Sequence, residues 1–336
     1  MGKKLIIAGY SNNNLGDDLM FSSVINGSNY KSYYFCGSKI NPHFLNKAVS
    51  HIKRGRALPL RWKVGADFAL VGGSLFMGEN DSQISMFRWK LELLRLNRFF
   101  GGRNYIIGAN LGPYRDIDEY SDYLRKVDSL VDCWKVRDKF SERLLREIGA
   151  TDVEWIPDPV MGIGLDSYSN LKPQKKIAIS VTNINKDGNF EVSMDVFLNE
   201  ILGLIERYHR EGYSIDLLSF EDSEDLSWIV KIKNMIRTDG TVNLIGNTEN
   251  KLLTALSEAE IVVSTRFHCM VLAGLLNKKQ IIYPYSQKTT NFAESHGLQV
   301  YPISGCSSNK HPVPTGFDPA AIASAKSMFS EMGLDS

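Results

Sequence analysis

Short apolar runs alternate with longer stretches of helical period along the whole chain. Residues 5–9, 68–71, 105–108, 133–138 and 153–156 read as buried strands of the first half; residues 177–181, 214–218, 242–245, 261–263 and 280–285 read as those of the second. They are rich in Val, Ile, Leu and aromatics, too short for helices, and bounded by Gly, Asn, Asp or Ser. Between them, the spacing of apolar residues predicts helices over 86–100, 118–131, 140–148, 196–211, 223–236, 250–259 and 291–296, with a last one over 319–332. Gly149 and Gly212 stop two of these helices, as a glycine just past a helix end does. A further helix is expected from Leu19, capped by Asp17 or Asp18. Strand, loop and helix in repeated succession argue for doubly wound parallel sheets. The polar stretch 166–176 has no period and contains Pro173, so it reads as a linker between domains at 1–168 and 174–336, the second including the terminal helix. No internal repeat is present.

Composition narrows the classes. The 336 residues are 43% hydrophobic, enough for two cores. With 39 basic and 38 acidic residues, the net charge of +1 gives no bulk attraction for nucleic acid. Cys36, Cys133, Cys269 and Cys306 share no metal-ligand spacing, so no metal site is expected, and reduced thiols in the cytoplasm are the default. No run approaches the roughly 20 apolar residues needed to cross a bilayer. Two basic regions stand out locally: His51, Lys53, Arg54, Arg56, Arg61 and Lys63 with Trp62, and the aromatic, arginine-rich helix 86–100. Such a helix either covers a sheet or lies on a membrane, where it would give peripheral contact with the inner face.

The densest chemistry lies at Ser264-Thr265-Arg266-Phe267-His268, directly after a buried strand. Ser264 and Thr265 are N-cap types, so Arg266 and His268 fall where a strand ends and a helix begins. Ligands bind at that edge of open α/β sheets, and helix-start N–H groups attract anions. Arginine adds a permanently charged fork suited to phosphate or carboxylate, and histidine moves protons near neutral pH. The competing reading makes Arg266 a cap on a neighbouring carbonyl and His268 a packed core histidine. The loop Tyr10–Gly16 after the first strand is a second candidate cradle, although it lacks the GxGxxG spacing of a dinucleotide site. Arg137 beside Asp138 reads either as an anion contact or as an ion pair with the next helix. The acidic run Glu221–Asp225 reads as capping of the helix that follows.

Taken in order, several motifs resemble the polysaccharide pyruvyl transferase family from Ile7 to about Gly297. They are GYSNNNLGDD at 9–18, GGSL at 72–75, GANLGP at 108–113, Val136-Arg137-Asp138 with Ser141, Asp158-Pro159, STRFH at 264–268, and Tyr285 with Lys288. The chain departs from the family pattern in reading GGS where three glycines are usual, Phe267 where leucine is usual, and Gln280 where proline is typical. The resemblance implies two facing Rossmann-like domains, as in GT-B glycosyltransferases, with the site in the cleft between them. It also implies transfer of a pyruvyl group from phosphoenolpyruvate to a sugar of a cell-surface polysaccharide or its precursor. The acceptor would be free or lipid-linked, the product a ketal, and phosphate the leaving group. No cofactor or metal is required beyond that co-substrate. His268, Asp17 and Asp18 become the expected acid and base; Arg266, Arg137, Lys288, Asn14, Gly16, Ser74 and Asn110 become the expected substrate contacts. Two other functions remain open: a nucleotide-sugar glycosyltransferase and a non-catalytic glycan-assembly protein.

Overall fold

The computed structural model describes residues 3–10, 14–37, 44–52, 64–184, 192–236, 242–304 and 310–334. The basic residues Lys53, Arg54, Arg56, Arg61 and Lys63 therefore lie outside the described residues, as do Ser11, Asn12, Asn13 and Cys306. The chain divides into two units, one of residues 1–12, 17–163 and 320–336, the other of residues 13–16 and 164–319.

The first unit runs β1 (Lys4–Gly9), α1 (Leu15–Gly27, whose first two residues group with the second unit), β2 (Ser32–Cys36), β3 (Val49–Ile52), β4 (Ala66–Val71), β5 (Phe76–Gly78), α2 (Asp81–Phe99), β6 (Asn104–Ala109), β7 (Leu111–Tyr114), α3 (Ile117–Asp128), β8 (Cys133–Val136), α4 (Lys139–Glu147) and β9 (Val153–Trp155). Seven strands form a parallel sheet in the order β3-β2-β1-β4-β6-β8-β9, and β5 pairs with β7 apart from it. Strands β1, β4 and β6 are buried almost throughout, as their continuous apolar runs require. Strands β2 and β3 are not anticipated by the sequence pattern. In β2 buried and half-buried residues alternate, so no continuous apolar run marks it. Helix α2 opens with a capping box between Asn80 and Gln83 and lays Phe87, Lys90, Leu94 and Asn97 against the sheet.

The second unit runs α5 (Asp166–Ser169), β10 (Gln174–Ser180), α6 (Met194–Arg210), β11 (Ser214–Leu218), α7 (Asp222–Met235), β12 (Val242–Ile245), α8 (Glu249–Glu258), β13 (Ala259–Ser264), α9 (Phe267–Leu275), β14 (Lys279–Ile282), α10 (Gln287–Ser295) and β15 (Val313–Pro314). Its sheet has the order β12-β11-β10-β13-β14-β15, parallel except for β15. Gln280, where the family pattern has proline, is buried in β14 with its amide fully used. Its Oε1 accepts from Ser264 Oγ at 2.7 Å, and its Nε2 donates to the Met270 carbonyl and to Thr315 Oγ1.

Several expected boundaries shift. Helix α1 begins at Leu15, so Asp17 and Asp18 lie in its first turn rather than capping it. Arg266, not Ser264 or Thr265, occupies the N-cap position of α9. Lys288 sits on the first turn of α10 instead of in a loop, because that helix starts at Gln287. The terminal helix α11 (Pro319–Ser327) and the turns after it group with the first unit. Asn29 N–H donates to the Met332 carbonyl at 2.7 Å, and a Cβ on Gly162 would lie 2.7 Å from the Ala325 carbonyl oxygen. Among the described residues no helix is long and apolar enough to cross a membrane.

Both sheets reverse their strand order once. In the first, β2 and β3 lie on one side of β1 and β4 on the other; in the second, β11 and β12 lie on one side of β10 and β13 on the other. Such reversals open a crevice at the carboxyl ends of the strands flanking them. The residues leaving those strand ends are Tyr10 and Gly72–Ser74 in the first unit, and Val181–Asn183 and Thr265–His268 in the second.

Candidate active site

In the second unit the start of α9 is tied to the end of β10. Ser180 Oγ accepts from the N–H groups of Thr265 at 2.9 Å and Arg266 at 3.2 Å, while Thr265 Oγ1 donates to the Ser180 carbonyl at 2.7 Å. Two N–H groups expected to face an anion are thus consumed by the protein itself.

Among the described residues the Arg266 guanidinium meets carboxylates and no carbonyl. Its Nε donates to Asp225 Oδ2 at 3.2 Å and its Nη2 to Asp225 Oδ1, a two-pronged pair with a carboxylate whose side chain is fully buried. Nη1 stands 3.6 Å from Glu221 Oε2, beyond hydrogen-bond length. Asp225 is fixed in turn by the N–H groups of Phe220 and Glu221, at 2.9 and 3.1 Å. Burial works against the charge on Arg266, but the field of Asp225, aided by Tyr285 and Glu221, outweighs it and holds the guanidinium above its ordinary pKa. The acidic run anticipated as a helix cap is therefore the clamp of the site's arginine. Asp225 and Glu221 are the residues around Arg266 that the motif pattern misses. Their four-residue spacing around the start of α7, which puts both on one side of a helix turn, is the signal they leave.

The second unit also takes in Asn14 and Gly16. Asn14 Nδ2 donates to Glu221 Oε2 at 3.2 Å, Gly16 N–H donates to Asn14 Oδ1 at 3.0 Å, and Leu15 N–H donates to the Phe220 carbonyl at 3.2 Å. Gly16 lies flat against the imidazole of His268, so that a Cβ there would fall 1.7 Å from Nδ1. The backbone at Gly16 is helical, so its lack of a side chain serves close approach and not a special φ. His268, on the first turn of α9, is half-buried and meets the Phe267 ring edge-on at 5.0 Å. Asn14, Gly16, Arg266 and His268 are thus brought together, with Glu221 as the link. Lys288 is half-buried at the start of α10.

In the first unit the motif residues interlock as one buried network. Arg137 pairs not with Asp138 but with Asp158, Nη1 to Oδ2 at 2.6 Å, both side chains essentially without exposure. Its Nε donates to Asn110 Oδ1 at 2.6 Å, and its Nη2 packs where a Cβ on Gly73 would stand. Asp138 caps α4 by accepting from Ser141 N–H and Oγ, each at 2.8 Å, and it accepts from Asn110 Nδ2. Asn110 N–H donates to the Gly73 carbonyl at 2.8 Å. Arg137 and Asn110, expected as substrate contacts, are therefore engaged in shaping the turn that exposes Ser74.

Asp18 is the first unit's titratable group of note. It is buried in the first turn of α1, and its Oδ1 has no hydrogen-bond partner among the described residues. Burial, with a smaller push from Asp17, raises its pKa to about 7. A carboxyl raised in the folded state stabilises fully below its ordinary pKa and loses that contribution as pH climbs toward about 7. Asp18→Asn is therefore expected to match the parent's stability near pH 4 and to exceed it at pH 8. The gain should approach about 4 kcal/mol, at about 1.4 kcal/mol for each pH unit between the two pKa values. Urea unfolding of both proteins across that range measures it; equal stabilities at pH 8 would contradict it.

Among the described residues no group of three or more His, Cys, Asp or Glu is placed to hold a metal ion. Comparison with known proteins places these features in context. A family model described as polysaccharide pyruvyl transferase matches residues 14–287. Among curated proteins, none matches the chain. Among solved structures, the UDP-GlcNAc 2-epimerase from Methanocaldococcus jannaschii is similar with a TM-score of 0.59 at 11% identity, covering 98% of this chain and 92% of that one. The UDP-GlcNAc 2-epimerase from Neisseria meningitidis, bound to UDP-GlcNAc, gives 0.58 at 13% identity, covering 99% and 94%. A putative enzyme of the same kind from Listeria monocytogenes gives 0.58 at 7%, covering 90% and 84%. At such identities the likeness is one of fold, and that fold is GT-B-like.

Proposed function

The chain belongs to the polysaccharide pyruvyl transferase family, and on that premise we propose that it transfers pyruvyl from phosphoenolpyruvate to a sugar of a cell-surface polysaccharide or its precursor. The observation that carries the reading is the contact of Gly16 with His268, beside the clamped Arg266 at the strand reversal of the second unit. An imidazole held against a glycine, next to a fixed guanidinium, is a proton carrier beside an anion holder.

The chemistry uses these groups in stated roles. A proton adds to the methylene carbon of phosphoenolpyruvate, leaving an oxocarbenium-like carbon that a sugar hydroxyl attacks. The bond from that carbon to the phosphate oxygen breaks, and a second hydroxyl closes the ketal. Of the two hydroxyl protons lost, one balances the methylene's gain and the other leaves on phosphate. His268 handles one proton transfer. Asp18, whose burial holds its pKa near neutrality, is assigned the other. Arg266 meets the donor's carboxylate or phosphate through Nη1, the corner that Glu221 approaches without a full hydrogen bond. Because Asp225 and Glu221 outweigh one arginine, a further cation is needed, and Lys288 fills that part.

Donor choice separates this reading from nucleotide-sugar transfer. Phosphoenolpyruvate at a hundred times its Kd is expected to stabilise the fold by about 2.7 kcal/mol. UDP-GlcNAc is expected to leave the melting temperature unchanged. The reverse pattern in a thermal scan would favour a glycosyltransferase.

A further inference from the structure

Helix α2 carries large apolar side chains outward as well as inward. Its inward face is complete, with Phe87 and Leu94 in the core and Lys90 donating to the Leu75 carbonyl between the rings of Phe76 and Phe87. On the outward face Met86, Trp89, Leu96 and Phe99 remain 45%, 49%, 42% and 83% exposed. Trp89, Leu96 and Phe99 follow each other at helical spacing along one stripe. The stripe continues off the helix: Phe99 meets Phe100 edge-on, and Phe100 accepts from Gly65 N–H, next to the exposed Val64. Single exposed apolar residues need no explanation, but a contiguous aromatic stripe does.

The charges around the stripe indicate what covers it. Arg88, Arg95, Arg98 and Arg103 are all exposed beside it, against one acidic residue of the same stretch, Glu92. Arg95 pairs with exposed Glu92, a weak pair that leaves its guanidinium available, while Arg98 is held by both oxygens of the less exposed Asp132. A second copy docking by two-fold symmetry would set this arginine rim against itself, which costs energy. An anionic surface is complementary to the whole patch.

We propose that the outward face of α2, with Val64 at its end, docks on an anionic lipid surface, Trp89, Leu96 and Phe99 entering the headgroup boundary while the arginines meet lipid phosphates. The Phe99 end of the patch lies at the amino end of β4, which Gly65 precedes, and the stripe runs back along α2 toward Trp89, next to Lys90. The proposal does not depend on the donor being phosphoenolpyruvate.

The test is flotation of the full chain with vesicles of phosphatidylcholine alone or with added phosphatidylglycerol, at low and high salt, beside sedimentation equilibrium without lipid. The parent should float with the anionic vesicles at low salt, stay behind with neutral ones, and shift its tryptophan emission to the blue, a shift lost in Trp89→Phe. Leu96→Glu with Phe99→Glu should lower the partition coefficient at least about tenfold. These positions are solvent-facing, so the melting temperature should hold; Arg88→Glu, which removes no apolar contact, should lower partitioning at unchanged fold. Absence of flotation by the parent overturns the proposal. So does a lipid-free dimer that the double variant dissolves, because the stripe would then belong to a second copy.

Discussion

His268→Gln is expected to lower turnover by roughly 10²–10⁴-fold while leaving donor affinity within about threefold, because a positioned acid or base contributes on that scale and a glutamine keeps the polar shape without the proton. The companion variant is Gly16→Ala. Alanine is the better helix former by about 1 kcal/mol, so on propensity alone the change should stabilise α1. Its Cβ would stand 1.7 Å from His268 Nδ1, however, and the ring must move. A misplaced proton carrier costs about as much as a missing one, so Gly16→Ala should fall toward the rate of His268→Gln, and the double variant should be little worse than either. Steady-state kinetics on the three variants would decide it. Near-parental turnover of His268→Gln would make it a packed histidine and pass the proton transfers to Asp18 and Asp17.

Arg266→Ala should be the most destabilising single change at the site. It leaves Asp225, whose side chain is fully buried, and Glu221, nearly so, facing each other without their cation. Breaking a buried pair from one side costs about 3–5 kcal/mol. Arg266→Lys keeps a charge but loses the fork, so it should destabilise less while still weakening phosphoenolpyruvate binding by about 1–3 kcal/mol. Asp225→Ala should also unfold more easily, since it strands the same arginine. Denaturant unfolding of the three variants separates this from an arginine that only touches substrate, whose loss would leave stability within about 0.5 kcal/mol of the parent.

Much of the fold is legible because buried parallel strands announce themselves. Ser214–Leu218 falls where its apolar run places it and is buried beyond its first residue, with Asp216 inside it; Val242–Ile245 also falls at its expected bounds, although it is an edge strand with Asn243 and Leu244 exposed. Strand β2 escapes because its faces differ, and α1 is misjudged at its start because Asp17 and Asp18 look like caps while Leu15 already lies in the helix. The terminal helix cannot be assigned from order along the chain: Ala325 packs against Gly162, and Phe329 and Met332 in the turns after it meet Gly27 and Asn29, about three hundred residues earlier.

The candidate site is legible in its residues and not in their pairings. Arg266, His268, Asn14 and Gly16 stand out by motif, yet the contact of Gly16 with His268 joins positions far apart in the chain. Arg137 shows the limit most plainly. Its neighbour Asp138 is the obvious partner by sequence, but strand geometry turns Asp138 onto the start of α4, and Asp158 receives the guanidinium. A motif singles out side chains, and only packing shows which of them hold one another in place.

The most direct measurement of the central claim is to incubate the protein with phosphoenolpyruvate and a panel of nucleotide-linked and lipid-linked sugars, following inorganic phosphate and the mass of each sugar together. The account predicts phosphate release only when an acceptor is present, matched mole for mole by a pyruvyl ketal on that sugar. Release without any sugar product, or a sugar extended by glycosyl transfer from a UDP-sugar with phosphoenolpyruvate untouched, would contradict it.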